Sequence, residues 1–104
     1  MPPRHLNHPS EGAKIRKLAS SREVDLLLSR NAHAEAEARG CDRPDILAAL
    51  RGCVVVGSER RGLQWRRTVR GQGLDGETIT MIVTVNYQMR RILVLELETG
   101  ELNE

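Results

Sequence analysis

The sequence predicts an α+β fold, with two to three N-terminal helices packed on a four-stranded antiparallel β-meander. Three observations carry this. Apolar residues recur at helical spacing as far as Gly52 and at a spacing of two from Cys53 onward. The stretch Asp42–Gly52 carries a cap, a first-turn proline and a terminal glycine. Between two runs of strand-forming residues lies Leu74-Asp75-Gly76-Glu77, and Asp-Gly is a strong hairpin signal because both residues tolerate positive φ.

Taken in order, residues 1–9 hold Pro2, Pro3 and Pro9 and read as a mobile arm. The domain proper is expected over residues 10–99, with an acidic tail at 100–104. Ser10 suits the N-cap of a first helix, with Ile15, Leu18 and Ala19 on its apolar face. Arg22 to Leu28 fits either a continued helix or a short extended link. Ser29 suits the cap of a second helix to about Arg39, with Ala32 and Ala36 on one face and Gly40 closing it. The third helix starts at Asp42 and buries Ile46, Leu47, Ala49 and Leu50.

Cys53–Gly57 reads as the first strand and Ser58–Gly62 as a charged turn or bulge. The next strand puts Trp65, Arg67 and Val69 on one face and Gln64, Arg66, Thr68 and Arg70 on the other. Ile79, Met81, Val83 and Val85 share a face of the third strand; Asn86–Met89 forms a second turn. In the fourth strand Leu93, Leu95 and Leu97 are expected together. Short turns between successive strands imply antiparallel pairing, and the helices must cover the apolar side.

At 104 residues the chain makes one domain. It buries roughly two-thirds of its unfolded surface, around an aliphatic core. There is no Phe, and Trp65 and Tyr87 are the only aromatics. A net charge of +2 hides an uneven distribution. Arg51–Arg70 holds six arginines against Glu59, whereas Ile92–Glu104 holds four glutamates and no base. This asymmetry fits a polyanion-binding face beside an acidic tail, and equally a solvated sheet face. Arginine dominance suits planar phosphate or carboxylate partners, although a GC-rich genome gives the same bias.

Cys41 and Cys53 have no CxxC or other metal-ligand spacing and read as reduced, buried thiols. His5 and His8 lack a third ligand, so neither a metal nor a cofactor is expected. No apolar run approaches the roughly 20 residues of a membrane span, and the N-terminus lacks the apolar stretch of a signal peptide. The expectation is a cytoplasmic protein, monomer or homodimer.

From about Lys14 to Glu98 the chain resembles small bacterial toxin-like proteins of the RelE superfamily. IRKL followed by SRNAHAEAEARGCDRPDILAAL is similar to the first two helices of the MqsR type, and WRRTVRGQGLDGETITMIVTV is closer to uncharacterised proteins related to the BrnT toxins. Toxins of this kind are metal-independent messenger-RNA endonucleases, neutralised by an antitoxin, with basic residues and often a Tyr on the sheet. The resemblance implies a RelE-like fold, RNA and an antitoxin-like protein as partners, Arg67, Arg70 and Tyr87 as catalytic candidates, and Arg60, Arg61, Gln64, Arg66 and Arg90 as RNA contacts. Cleavage through the 2′-OH needs a group to activate it, one to protonate the leaving oxygen and one to neutralise the developing charge. Arginine supplies a bidentate phosphate clamp.

The chain departs from these families where MqsR-type toxins place a Tyr near Val69 or Arg70. It departs again at Asn31-Ala32, where a His-Ala pair often opens the second helix. His33 lies about 200° around that helix and does not replace the lost His. A non-catalytic interaction module that keeps the fold and binds a protein partner is therefore the alternative. DNA binding by the third helix is disfavoured, because only Arg43 and Arg51 are basic there. If Trp65 and Val69 face inward, Arg67 must find a carboxylate or the sheet edge. Gln64, Arg66 and Arg70 then form the outward phosphate face.

Overall fold

The computed structural model describes residues 7–100, with side chains from Ser10 onward. Helix α1 (Asn7–Ala19) leads to strand β1 (Asp25–Leu28), then to helices α2 (Arg30–Ala38) and α3 (Arg43–Arg51). Four strands follow: β2 (Val54–Arg61), β3 (Gln64–Gln72), β4 (Thr78–Asn86) and β5 (Arg91–Thr99). They form one sheet in the order β1-β5-β4-β3-β2.

The sheet corrects the expected four-stranded antiparallel meander. It has five strands and is mixed, because β1 joins β5 in parallel, with Leu26 opposite Ile92 and Leu28 opposite Val94. The ambiguous run before Ser29 thus resolves as strand. Four residues with Leu26 buried and Leu27 outward fit a short edge strand, which pattern alone does not distinguish from a helix turn. At the N-terminus α1 begins at Asn7, so Ser10 lies inside the helix rather than capping it. Pro9 falls in the first turn, where its missing N–H breaks no bond. The rest of the expected arm (1–6) and residues 101–104 of the acidic tail lie outside the described residues.

The caps of α2 and α3 form as the sequence dictates. Ser29 Oγ accepts from the Ala32 N–H at 3.0 Å, and Cys41 N–H returns to the Ala36 carbonyl at 2.9 Å past Gly40. Asp42 and Asp45 form a reciprocal capping box with Pro44 in the first turn. Ser29 also docks α2 against β5 just beyond the end of β1. Its N–H donates to the Val94 carbonyl at 2.9 Å and its hydroxyl to the Leu95 carbonyl at 2.8 Å.

Two further strand expectations change. Ser58–Arg61 is not a turn but the continuation of β2, paired with β3 as far as Arg61 opposite Gln64. Only Gly62 and Leu63 turn the chain, with Gly62 at φ 63°. Polar residues run along this strand because its end is largely solvated. In β5, Val94 pairs with Val83 and Glu96 with Ile82, which leaves Leu95 as a bulge. Ile92 and Val94 therefore point into the core in place of Leu93 and Leu95, while Leu97, beyond the bulge, is buried as expected. The β3–β4 loop carries Gly76 at φ 86°, and Gly73 N–H closes it on the Glu77 carbonyl at 2.9 Å.

The core lies between the three helices and one sheet face, where Val55, Val69, Ile79, Met81, Val83, Ile92, Val94 and Leu97 meet Ile15, Ile46, Ala49 and Leu50. The closest approach is α3 on β3. A Cβ on Gly71 would lie 2.8 Å from the Ala49 carbonyl carbon and nearer still to its oxygen. Gly71→Ala is therefore expected to destabilise the fold by about 3 kcal/mol or more. Gly57→Ala, whose Cβ would make ordinary contact with Thr68 at 3.6 Å, should cost under about 1 kcal/mol. Urea denaturation of the two variants checks this; equal losses would contradict it.

Candidate functional site

The sheet is not continuous across its width. Pairing between β3 and β4 begins only at Arg67 opposite Val83. Gln64, Trp65 and Arg66 pair with β2 alone, and Thr84, Val85 and Asn86 with β5 alone. The two hairpins thus splay apart at their tips. Between them opens a cleft of about 600 Å³, walled by Leu63–Trp65 and Arg67 on one side and Thr84–Gln88 on the other.

Glu11, from α1, reaches into this cleft. Its side chain is only 17% exposed, and that of Arg67 15%. Tyr87 donates its hydroxyl proton to Glu11 Oε1 at 3.2 Å. Arg67 Nη2 stands 3.7 Å from the same oxygen, and its Nη1 donates to Ser58 Oγ at 2.9 Å. Lys14 Nζ lies 3.8 Å from Glu11 Oε2 and 5.9 Å from the centre of the Tyr87 ring. The Arg67 guanidinium sits 4.7 Å from the centre of the Trp65 ring, and Arg60 approaches that ring at 6.0 Å. Trp65 is 47% exposed, so it walls the cleft rather than filling the core.

These contacts set the electrostatics. Burial, then the Glu11 charge and the hydrogen bond to it, push the Tyr87 hydroxyl far above its ordinary value, with Arg67 pulling weakly the other way. Tyr87 is therefore a protonated donor over the whole physiological range. Glu11 is an acceptor flanked by two cations. Cys53 and Cys41 are buried free thiols, both raised by burial first; at Cys53 Arg16 opposes the rise, and at Cys41 the Asp45 and Glu77 charges add to it.

Of the residues expected from sequence, Arg67 and Tyr87 come together, with Gln64 on the same cleft and Arg60 outside its lining, beside the Trp65 ring. Arg70 does not join them. Strand alternation puts it on the opposite sheet face with Arg66 and Arg61, where its Nε donates to Thr80 Oγ1 at 3.3 Å. The catalytic trio is thereby corrected, since one sheet face cannot present residues 67 and 70 together. Arg61 pairs with Glu59 at 3.1 Å, and the Arg66 Nε is buried without a partner. Arg90, in the β4–β5 turn at φ 54°, pairs with Glu23 away from the cleft. The conditional expectation for Arg67 is met by Glu11, a carboxylate from the first turns of α1. No local signal points to it, because it lies 76 positions from Tyr87.

Comparison with family models, curated proteins and solved structures gives no match for this chain. Among the described residues no helix is long and apolar enough to cross a membrane.

The Tyr87 environment is directly measurable, since it is the only tyrosine. Its near-ultraviolet tyrosinate band should stay absent as the pH passes 10, the group's ordinary value. The folded state binds one proton more than the unfolded state above that pH, so this contribution to stability is complete below pH 10 and declines above it. Glu11→Gln should bring the titration back toward the ordinary value. A normal tyrosinate titration in the folded wild type would contradict the arrangement.

Proposed function

We propose that the cleft between the two hairpins binds single-stranded RNA, and that Glu11, Arg67 and Tyr87 act there as a metal-independent ribonuclease centre. The observation that carries the reading is the meeting of a carboxylate, a guanidinium and a protonated phenol around one oxygen of Glu11. These are the three group types that cleavage through the 2′-OH requires. Glu11 accepts the 2′-OH proton as that oxygen bonds to phosphorus, Arg67 neutralises the charge growing on the non-bridging phosphate oxygens, and Tyr87 gives its hydroxyl proton to the 5′-oxygen as the P–O5′ bond breaks.

Trp65 offers a half-exposed aromatic face for a base, with Arg60 and Arg67 beside it for the backbone. Leu63, at 93% exposed, and Met89, at 55%, extend the apolar rim at the two hairpin tips. The resemblance to RelE-superfamily toxins supports the same reading and adds an antitoxin-like partner and a role in growth arrest. Arg61, Arg66 and Arg70, on the other face, serve as a second electrostatic track rather than as catalytic groups.

One observation favours the alternative, an interaction module without activity. In the free protein Arg67 is already engaged by Glu11 and Ser58, so RNA must compete with an internal partner. In that reading the cleft takes a protein segment, and Glu11 serves only to hold α1 on the sheet.

Incubation of the purified chain with mixed-sequence single-stranded RNA in the presence of a chelator separates the two. The proposal expects products ending in a 2′,3′-cyclic phosphate. Glu11→Gln should slow cleavage by about 10²-fold or more and Arg67→Ala by about 10²–10³-fold, with Arg70→Ala changing it little. Trp65→Ala should weaken RNA binding by about 1–3 kcal/mol. Failure of the wild type to cleave RNA, with or without ribosomes, removes the ribonuclease reading; failure to bind RNA as well leaves the protein-binding module.

A further inference from the structure

On the side of the domain where α2 turns into α3, a second group of ionisable side chains meets that the cleft does not use. Cys41, Asp45 and Glu77 each bring a ligand atom to one place, all within 4.8 Å of one another. They come from the α2–α3 junction, the first turn of α3 and the β3–β4 loop. Cys41 is 6% exposed and Asp45 9%.

Two features of Glu77 set this apart from a chance gathering of carboxylates. Its Oε1 is buried and has no hydrogen-bond partner. A buried carboxylate oxygen without a partner is costly, and a cation satisfies it. The carboxylate is also seated closely over Gly73, where a Cβ would come within 2.9 Å of its Cδ and of both oxygens. Asp45 is equally well placed. Its Oδ1 accepts from the Leu74 N–H at 3.2 Å and its Oδ2 from the Asp42 N–H at 3.3 Å, and each oxygen keeps a further lone pair. Among the described residues neither Asp45 nor Glu77 has an ion-pair partner, and Arg39, the cation that favours the thiolate, is engaged with Glu35 at 3.1 Å.

We propose that Cys41, Asp45 and Glu77 form a binding site for one Zn²⁺. A thiolate with two carboxylates suits a borderline-soft ion, whereas Ca²⁺ and Mg²⁺ require oxygen ligands throughout. On binding, the Cys41 thiol releases its proton to solvent and one Zn–S and two Zn–O bonds form. Water takes the fourth tetrahedral position. The ion ties the helix layer to the β3–β4 loop, adding to the Leu74–Asp45 hydrogen bond that already joins them.

The test is titration of the metal-stripped full chain with ZnCl₂ and, as a spectroscopic substitute, CoCl₂. The expected result is one ion per chain, a thiolate-to-cobalt charge-transfer band in the near ultraviolet, and a rise in Tm on the order of 10 °C at about 100-fold excess of Zn²⁺ over Kd. Cys41→Ser should abolish the band, and Glu77→Gln, in a solvent-accessible loop, should weaken binding by more than about 100-fold with the fold intact. Cys53→Ala should leave binding unchanged. No uptake by the wild type overturns the proposal. So does uptake that survives Glu77→Gln and Cys41→Ser but is lost when His5, His8 and His33 are replaced.

Discussion

The contact of Gly71 with the Ala49 carbonyl sets the depth at which the helix layer sits on the sheet. Because β3 offers no side chain at that point, α3 lies almost on the backbone, and Leu50, Ile46 and Ala49 fill the space around it. Helix α1 packs in turn against α3 and β2, and that places Glu11 above the start of β3. Next to Glu11, Gly12 lies against Val55 of β2 and Arg16 donates to the Cys53 carbonyl at 2.9 Å, so both α3 and β2 hold the Glu11 carboxylate over Arg67 and Tyr87. The site is thus built from a packing constraint some distance away, through rigid helices rather than through local sequence.

The hairpins make the other half of the cleft by failing to pair. Gln64–Arg66 and Thr84–Asn86 would continue the β3–β4 ladder by simple extension, yet each keeps only its own hairpin partner. Their facing backbone groups are left to the cleft, which gives it polar walls in addition to Trp65, Arg67 and Tyr87. Charge follows the same geometry. Alternation along β3 sends Arg67 inward to Glu11 and Arg66 and Arg70 to the opposite face, so the arginine run divides into two surfaces of different character.

Much of the fold was legible in the residues. The Ser29 cap, the Asp42–Asp45 box and the Asp75-Gly76 turn act through interactions within a few positions, and local chemistry suffices to place them. The short strand Asp25–Leu28 was not legible, because three leucines in a row suit a helix turn as well as an edge strand and only the free edge of β5 decides. The Leu95 bulge also has no sequence mark, and it exchanges Leu93 and Leu95 for Ile92 and Val94 on the buried face while leaving Leu97 there. At the site, alternation put Trp65, Arg67 and Val69 on one strand face without deciding which face is buried, and desolvation gave only the condition that an inward Arg67 needs a carboxylate. The identity of that carboxylate was not legible, and neither was the meeting of Cys41 and Asp45 with Glu77. Both depend on contacts between distant parts of the chain that no spacing rule encodes.

The measurement that bears most directly on the account is a two-dimensional NMR titration of the isotope-labelled chain with a short single-stranded RNA. RNA bound in the cleft gives saturable shifts at the Trp65 indole N–H, along Gly62–Arg67 and along Thr84–Gln88, with the Thr68, Thr80 and Glu96 resonances of the opposite face largely still. Shifts confined to the Arg66, Arg70 and Thr80 face, with the Trp65 indole unmoved at saturation, would contradict binding in the cleft.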